Sequence, residues 1–158
     1  MPPAFGSKSF GLVAKGLVAI HAMIRAGTDE SPEAESIRDS LDAPNKNLTP
    51  TEKHRAQWLS EDLYSIGDPP DVSTPEESNP KAQQQLAEAI KARQNCEWDQ
   101  ALLLLRQTQK FLTQALLSYQ RGLIWAESGH PHVATAFFRH ASQCDPTNAD
   151  YVAAYVTA

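Results

Sequence analysis

Cysteine is nearly absent, with two residues in 158. Two are too few for a disulfide framework, so a reducing compartment is expected, and with it a cytoplasmic location. Basic residues are in the minority, 14 against 19 acids, which leaves a net charge of −5 and a pI near 5.5. A nucleic-acid surface needs clustered Lys and Arg to neutralise phosphates, so no nucleic-acid partner is expected. No uninterrupted apolar run approaches the roughly 18 residues of a bilayer span, so no membrane span is expected either. The chain carries neither a G-x-x-x-x-G-K-[ST] phosphate loop nor a G-x-G-x-x-G turn. It therefore reads as a non-enzyme without a cofactor. What remains, 41% hydrophobic and 21% charged residues, is the composition of a folded chain about one domain long.

Proline and glycine organise the rest. Nine of the 11 prolines lie in the first 80 residues, and residues 81–121 contain neither Pro nor Gly. Proline removes a backbone donor and clashes with the preceding helical turn, so the first half is punctuated and the second half helical. Eight aromatics follow residue 80 and four precede it, which places the larger core in the second half. Between the halves, Gly67 to Pro80 reads GDPPDVSTPEESNP, with four prolines, four acids and no base. This is linker composition. Three regions follow: an N-terminal helical region at 1–66, a Pro- and acid-rich linker at 67–80, and a helical region at 81–158.

In the first region, Phe10, Val13, Leu17, Ile20 and Ile24 recur at helical spacing over residues 9–26, and Gly27 supplies a stop. Lys8, Lys15 and Arg25 occur there without an acid, as in a targeting peptide. Lys15 and His21 interrupt the apolar run, however, and a docked helix is the expectation. Ser31-Pro32-Glu33 opens a second helix, expected to stop near Leu41 before Pro44. Thr49-Pro50-Thr51-Glu52 forms a capping box for a third, reaching Ile66, with Trp58, Leu59, Leu63, Tyr64 and Ile66 on its apolar side. No window alternates apolar and polar residues, so no sheet is expected. The predicted class is all-α.

Residues 115–148 contain an ordered set of small and aromatic residues: Gly122, Trp125, Gly129, Ala134, Phe138, Ala141 and Pro146. At these offsets the segment resembles a tetratricopeptide repeat (TPR), a helical hairpin of 34 residues. The departures are Ser118 and Pro131, where the family prefers an aromatic, and Arg121, where it prefers an apolar residue. Pro131 is expected to open the second helix instead. A degenerate copy precedes it at about 82–114, with Leu86, Ala89 and Ile90 on its first helix and Trp98, Ala101 and Leu105 on its second. A last unit starts at Asn148, where Val152 and Tyr155 suit a closing helix. The resemblance implies a short TPR-like solenoid of about two and a half repeats, fewer than stacked repeats usually need, so the missing apolar cover is expected from the N-terminal helices folding back or from another chain. Parts of the first region, Leu17 to Ile24, residues 31–39 and Leu59 to Tyr64, resemble a short helical module of bacterial proteins. That suggests a bacterial origin and no particular chemistry.

In tetratricopeptide proteins the first helix of each repeat lines a concave groove. The resemblance puts Leu116, Tyr119, Leu123, Ala126 and Glu127 there from the clear repeat, and Leu86, Ile90 and Arg93 from the degenerate one. Such a surface takes a helix or extended peptide of another protein. The Lys and Asn residues with which some family members clamp a terminal carboxylate are not at the matching places, which argues against a chaperone-tail receptor. An adaptor or assembly subunit is the expected function. The alternatives are self-association through the incomplete repeat end, and a small enzyme or metal protein with an unrecognised site. In a further variant the helix at 10–24 fills the groove itself. His140 and Cys144 have metal-ligand spacing, with His130, His132 and Cys96 nearby in sequence. The repeat register instead makes Cys144 a small core residue and His140 an exposed one, so neither a metal site nor a Cys–His nucleophile is expected.

Overall fold

A computed structural model describes residues 6–66 and 80–157, and every regular element among them is helical. The helices are α1 (Lys8–Ala26), α2 (Pro32–Lys46), α3 (Pro50–Ser65), α4 (Pro80–Gln94), α5 (Trp98–Thr108), α6 (Gln114–Glu127), α7 (Pro131–Cys144) and α8 (Ala149–Thr157). A 3₁₀ turn at Gln109–Phe111 follows α5. The all-α expectation therefore holds. Backbone contacts divide the chain into two units, one containing α1–α3 and the other α4–α8. The expected linker lies outside the described residues except for Pro80, which opens α4.

In the first unit α1 packs against both α2 and α3. Its ends follow from local chemistry. The Ser7 hydroxyl accepts from the Phe10 amide, and Gly27 closes the helix at φ 74°. Phe10, Val13 and Ala14 are fully buried, as are Ala34 of α2 and Leu59 and Leu63 of α3. The inward face is not the expected one throughout: Leu17, Ile20 and Ile24 are only half-buried, whereas Gly16 and His21 point in. Gly16 lies where an added Cβ would meet Leu41 of α2 at 2.5 Å. The His21 ring reaches Ser60 of α3 at 3.0 Å and stands edge-on to Tyr64. Tyr64 itself is 61% exposed, not part of the core. By length and composition alone α1 could cross a bilayer, a property the run-length reading missed because Lys15 splits the apolar stretch.

Pro44 does not end α2, which runs on to Lys46. A proline this near the end costs one ladder bond, and the last turn closes through Asn47 N donating to Pro44 O and Leu48 N to Asn45 O. The α3 capping box is present as expected. Its Glu52 does more than cap. The Ser7 amide and hydroxyl donate to Oε2 at 2.8 and 2.7 Å, and the Thr49 amide donates to Oε1 at 3.1 Å. One carboxylate, 5% exposed, thus satisfies the starts of α1 and α3 together. Burial opposes its charge, but the Ser7 and Thr49 donors outweigh it and hold the carboxyl down at about 2.

In the second unit α4 packs on α5, α5 on α6, α6 on α7 and α7 on α8. The two hairpins, α4–α5 and α6–α7, turn in the same way. Glu97 N donates to Ala92 O at 2.8 Å in the first, and His130 N donates to Trp125 O at 2.8 Å in the second. Cys96 N donates to Arg93 O and Gly129 N to Ala126 O. Each pair of equivalent residues is 33 apart in sequence. The left-handed residue of the turn is Gly129 (φ 96°) in one hairpin and Cys96 (φ 60°) in the other. Trp98, Ala101 and Leu105 of α5 and Trp125, Ala134, Phe138 and Ala141 of α6–α7 are all buried. A Cβ on Gly122 would lie 2.5 Å from the Phe138 ring, so the two helices meet with no room for a side chain.

Two outcomes are expected from this packing. Phe138→Ala should cost about 3–5 kcal/mol in urea unfolding, as buried aromatic truncations do, and Gly122→Ala about 1–3 kcal/mol by overpacking. A melting curve matching the wild type in either case would show the contact to be misassigned. Glu52→Gln should cost about 1–3 kcal/mol at pH 7, the range for hydrogen bonds to a buried charge. Because the folded carboxyl titrates below its ordinary 4.5, its contribution is complete above that value and fades as pH falls towards 2. The gap between wild type and variant should therefore narrow between pH 5 and 3. A gap constant with pH would show that the charge is not involved.

Candidate functional site

Helix α6 is buried over most of its circumference. Ala115, Leu117, Ser118, Gln120, Arg121, Gly122, Ile124 and Trp125 are all inside. Leu116, Tyr119 and Leu123 are half-buried, and Ala126 and Glu127 are exposed. These five, spaced by three and four, form one stripe along the helix. They are the residues that the repeat register assigned to a groove. On α4, Leu86, Ile90 and Arg93 are half-buried while Ala82, Ala89 and Ala92 are inside.

The two sets meet at one end. Arg93 Nη1 donates to Glu127 Oε2 at 2.5 Å, an ion pair between α4 and α6. Its side chains are 15% and 43% exposed, so water screens it from one side. At the other end the stripe meets α8. The Tyr119 ring centroid lies 4.8 Å from that of Tyr151 and 6.0 Å from that of Phe138. Burial raises the Tyr151 phenol above its usual value, and Asp145, Tyr119 and Asp150 add to the shift. Tyr151 and Ala154 thus turn inward on α8. Val152 and Tyr155, expected to close the array, are each 37% exposed, and Val156 is 74% exposed. The helix is rotated by one position relative to that expectation, with Tyr151 and not Tyr155 against Tyr119.

Sequence reasoning missed a second cluster on the far side of α6. His140 is 4% exposed, not an outward residue, and Ser118 is 1% exposed. His140 Nδ1 lies 2.6 Å from Ser118 Oγ, and its Nε2 lies 3.4 Å from Cys144 Sγ. Cys144 is half-buried, with Gln114 Oε1 at 3.9 Å. The signal was there in part. The repeat resemblance had marked Ser118 as a departure, and the His140 imidazole lies beside it. Arg121, the other polar departure, is 2% exposed, with Nη2 donating to Gln109 at 3.3 Å. Among the described residues no three or more His, Cys, Asp or Glu side chains gather as a metal site would need. Comparison of the chain with protein-family models, curated proteins and solved structures finds no match.

Tyr119 is therefore partly a packing residue. Tyr119→Ala should destabilise the chain by about 1–2 kcal/mol through the lost ring contacts, and Tyr119→Phe by much less. The Arg93–Glu127 pair should show a coupling of about 0.2–1 kcal/mol in a double-mutant cycle, shrinking in high salt. A larger coupling that salt does not reduce would mean the pair is buried in solution.

Proposed function

We propose that α4–α8 is a short tetratricopeptide-like array, and that the chain is a non-catalytic adaptor or assembly subunit. Its partner is a helix or extended peptide of another protein, laid along the α4–α6 face. The observation that carries this reading is the open stripe on α6. Leu116, Leu123 and Ala126 stay accessible on a helix otherwise enclosed, with Leu86 and Ile90 half-buried on α4. Apolar side chains left at one face, with an ion pair at its edge, suit a partner that contributes a few large apolar groups and polar ends. The matching turns of the two hairpins support the repeat reading. The contact of Tyr119 with Tyr151 shifts the expected anchor from Tyr119 to Leu123.

Self-association is the second reading, and the exposed Val152, Tyr155 and Val156 of α8 favour it. The two are separable. Affinity capture with the native chain should recover a partner whose affinity falls by about 2 kcal/mol, roughly thirtyfold, in Leu123→Glu at unchanged melting temperature. Equal binding by wild type and variant would remove the α6 face from consideration. Concentration-dependent sedimentation abolished by Val156→Lys would establish self-association instead.

A further inference from the structure

We propose that α1 is an acid-released membrane-surface helix: mild acid loosens its second half from α3, and its apolar face then enters the headgroup region of an anionic bilayer. The helix carries Lys8, Lys15 and Arg25 and no acid. By length and composition it could cross a bilayer. Phe10, Val13, Leu17, Ile20 and Ile24 share one face. The exposed Lys8 and Lys15 stand on the opposite one, with the exposed Arg25 between the two. An apolar face backed by bases is the pattern of a helix that lies in the plane of an anionic surface, and Lys15 at its middle disfavours a crossing.

In the folded unit that apolar face is unevenly covered. Phe10 and Val13 are buried, whereas Leu17, Ile20 and Ile24 are half-buried. The second half of α1 therefore depends more on its polar tie, the buried His21 ring 3.0 Å from Ser60 Oγ and edge-on to Tyr64. A charged ring there loses most of its hydration. Arg25, one turn further along α1, adds repulsion. Glu61 and Asp62 follow Ser60 on α3, and α2 brings Glu35, Arg38 and Asp39, but the charge that acts on the ring is that of Arg25.

Burial and Arg25 hold the folded ring below its ordinary 6.5, so the opened form takes up a proton that the packed form resists. The stabilisation from the neutral ring is complete above 6.5 and is lost as pH falls below that value. Glu52 behaves differently. Its carboxyl, held at about 2, stays ionised at pH 5 and keeps the Ser7 end of α1 in place. Opening in mild acid therefore starts at the His21 end, where Leu17, Ile20 and Ile24 come free. The protonated His21 then joins the three bases of the helix. A bilayer binds only this opened form and shifts the equilibrium towards it.

The test is flotation of the full chain with vesicles of equal phosphatidylglycerol and phosphatidylcholine, and with phosphatidylcholine alone, at pH 7.5 and 5. Partitioning onto the anionic vesicles should rise at least about tenfold in acid, and the phosphatidylcholine vesicles should stay bare. Carboxylates and other histidines gain protons over the same range, so the readout is the part of the rise that His21 carries. His21→Gln keeps a polar partner for Ser60 without taking up the proton, and it should lose most of the rise. Lys15→Glu, on the exposed side of α1, should lose most of the binding at pH 5 at unchanged melting temperature. Equal partitioning at the two pH values overturns the proposal, as does a folded His21→Gln chain that keeps most of the rise, or binding that Lys15→Glu leaves unchanged. Equal binding to phosphatidylcholine alone overturns the anionic partner. If His21→Gln does not fold, amide exchange of the wild type decides. Residues 17–26 should lose protection between pH 7.5 and 5 while residues 8–14 keep theirs, and unchanged protection over 17–26 overturns the proposal.

Discussion

The ring of Phe138 occupies the volume that any side chain at position 122 would need. That single exclusion sets how closely α6 and α7 approach, and much else in the second unit follows from it. Trp125 and Ala134 are buried at the same interface, and α8 then packs on α7. Away from this interface one stripe of α6, Leu116 to Glu127, is left half-buried or exposed. Packing and candidate surface are consequently two sides of one helix. A residue that widened the hairpin would disturb both.

The first unit is held differently. Its apolar contacts are supplemented by two buried polar ties, each crossing from α1 to α3. Glu52 joins the starts of both helices, and His21 meets Ser60 further along. Burial lowers the affinity of His21 for a proton, and Arg25 adds to this. Its ordinary value of 6.5 and that of Glu52 make both ties favour neutral pH. Acid therefore works against this unit twice, first by charging His21 and then by neutralising Glu52. These ties replace apolar area that a three-helix unit of this size has in short supply.

The second unit also buries polar residues. Ser118 and Arg121 of α6 are both buried, the first beside His140 of α7 and the second beside Gln109. The His140 imidazole lies against Ser118 and in turn against the half-buried Cys144 thiol. Cys144 Sγ lies 3.4 Å from Nε2 and 3.9 Å from Nδ1 of that ring, so the sulfur sits beside the imidazole. The open stripe on the other side of α6 shares no residue with this buried cluster.

Helix class, helix starts and most helix stops were readable from the chain, because caps, prolines and glycines act within a few residues of themselves. Thr49 with Glu52, Ser31 before Pro32 and Gly27 after α1 are examples. That Leu116, Tyr119, Leu123, Ala126 and Glu127 share one stripe of α6 was readable too, since helical spacing decides which side chains share a face. Pro44 misled because its cost depends on how much helix remains after it, and only the closing bonds at Asn47 and Leu48 reveal that. The reach of Glu52 to Ser7, of Arg93 to Glu127 and of His140 to Ser118 spans 45, 34 and 22 residues. No local pattern encodes such distances. They exist because helix packing brings separate segments within hydrogen-bonding range, and burial then makes each contact count.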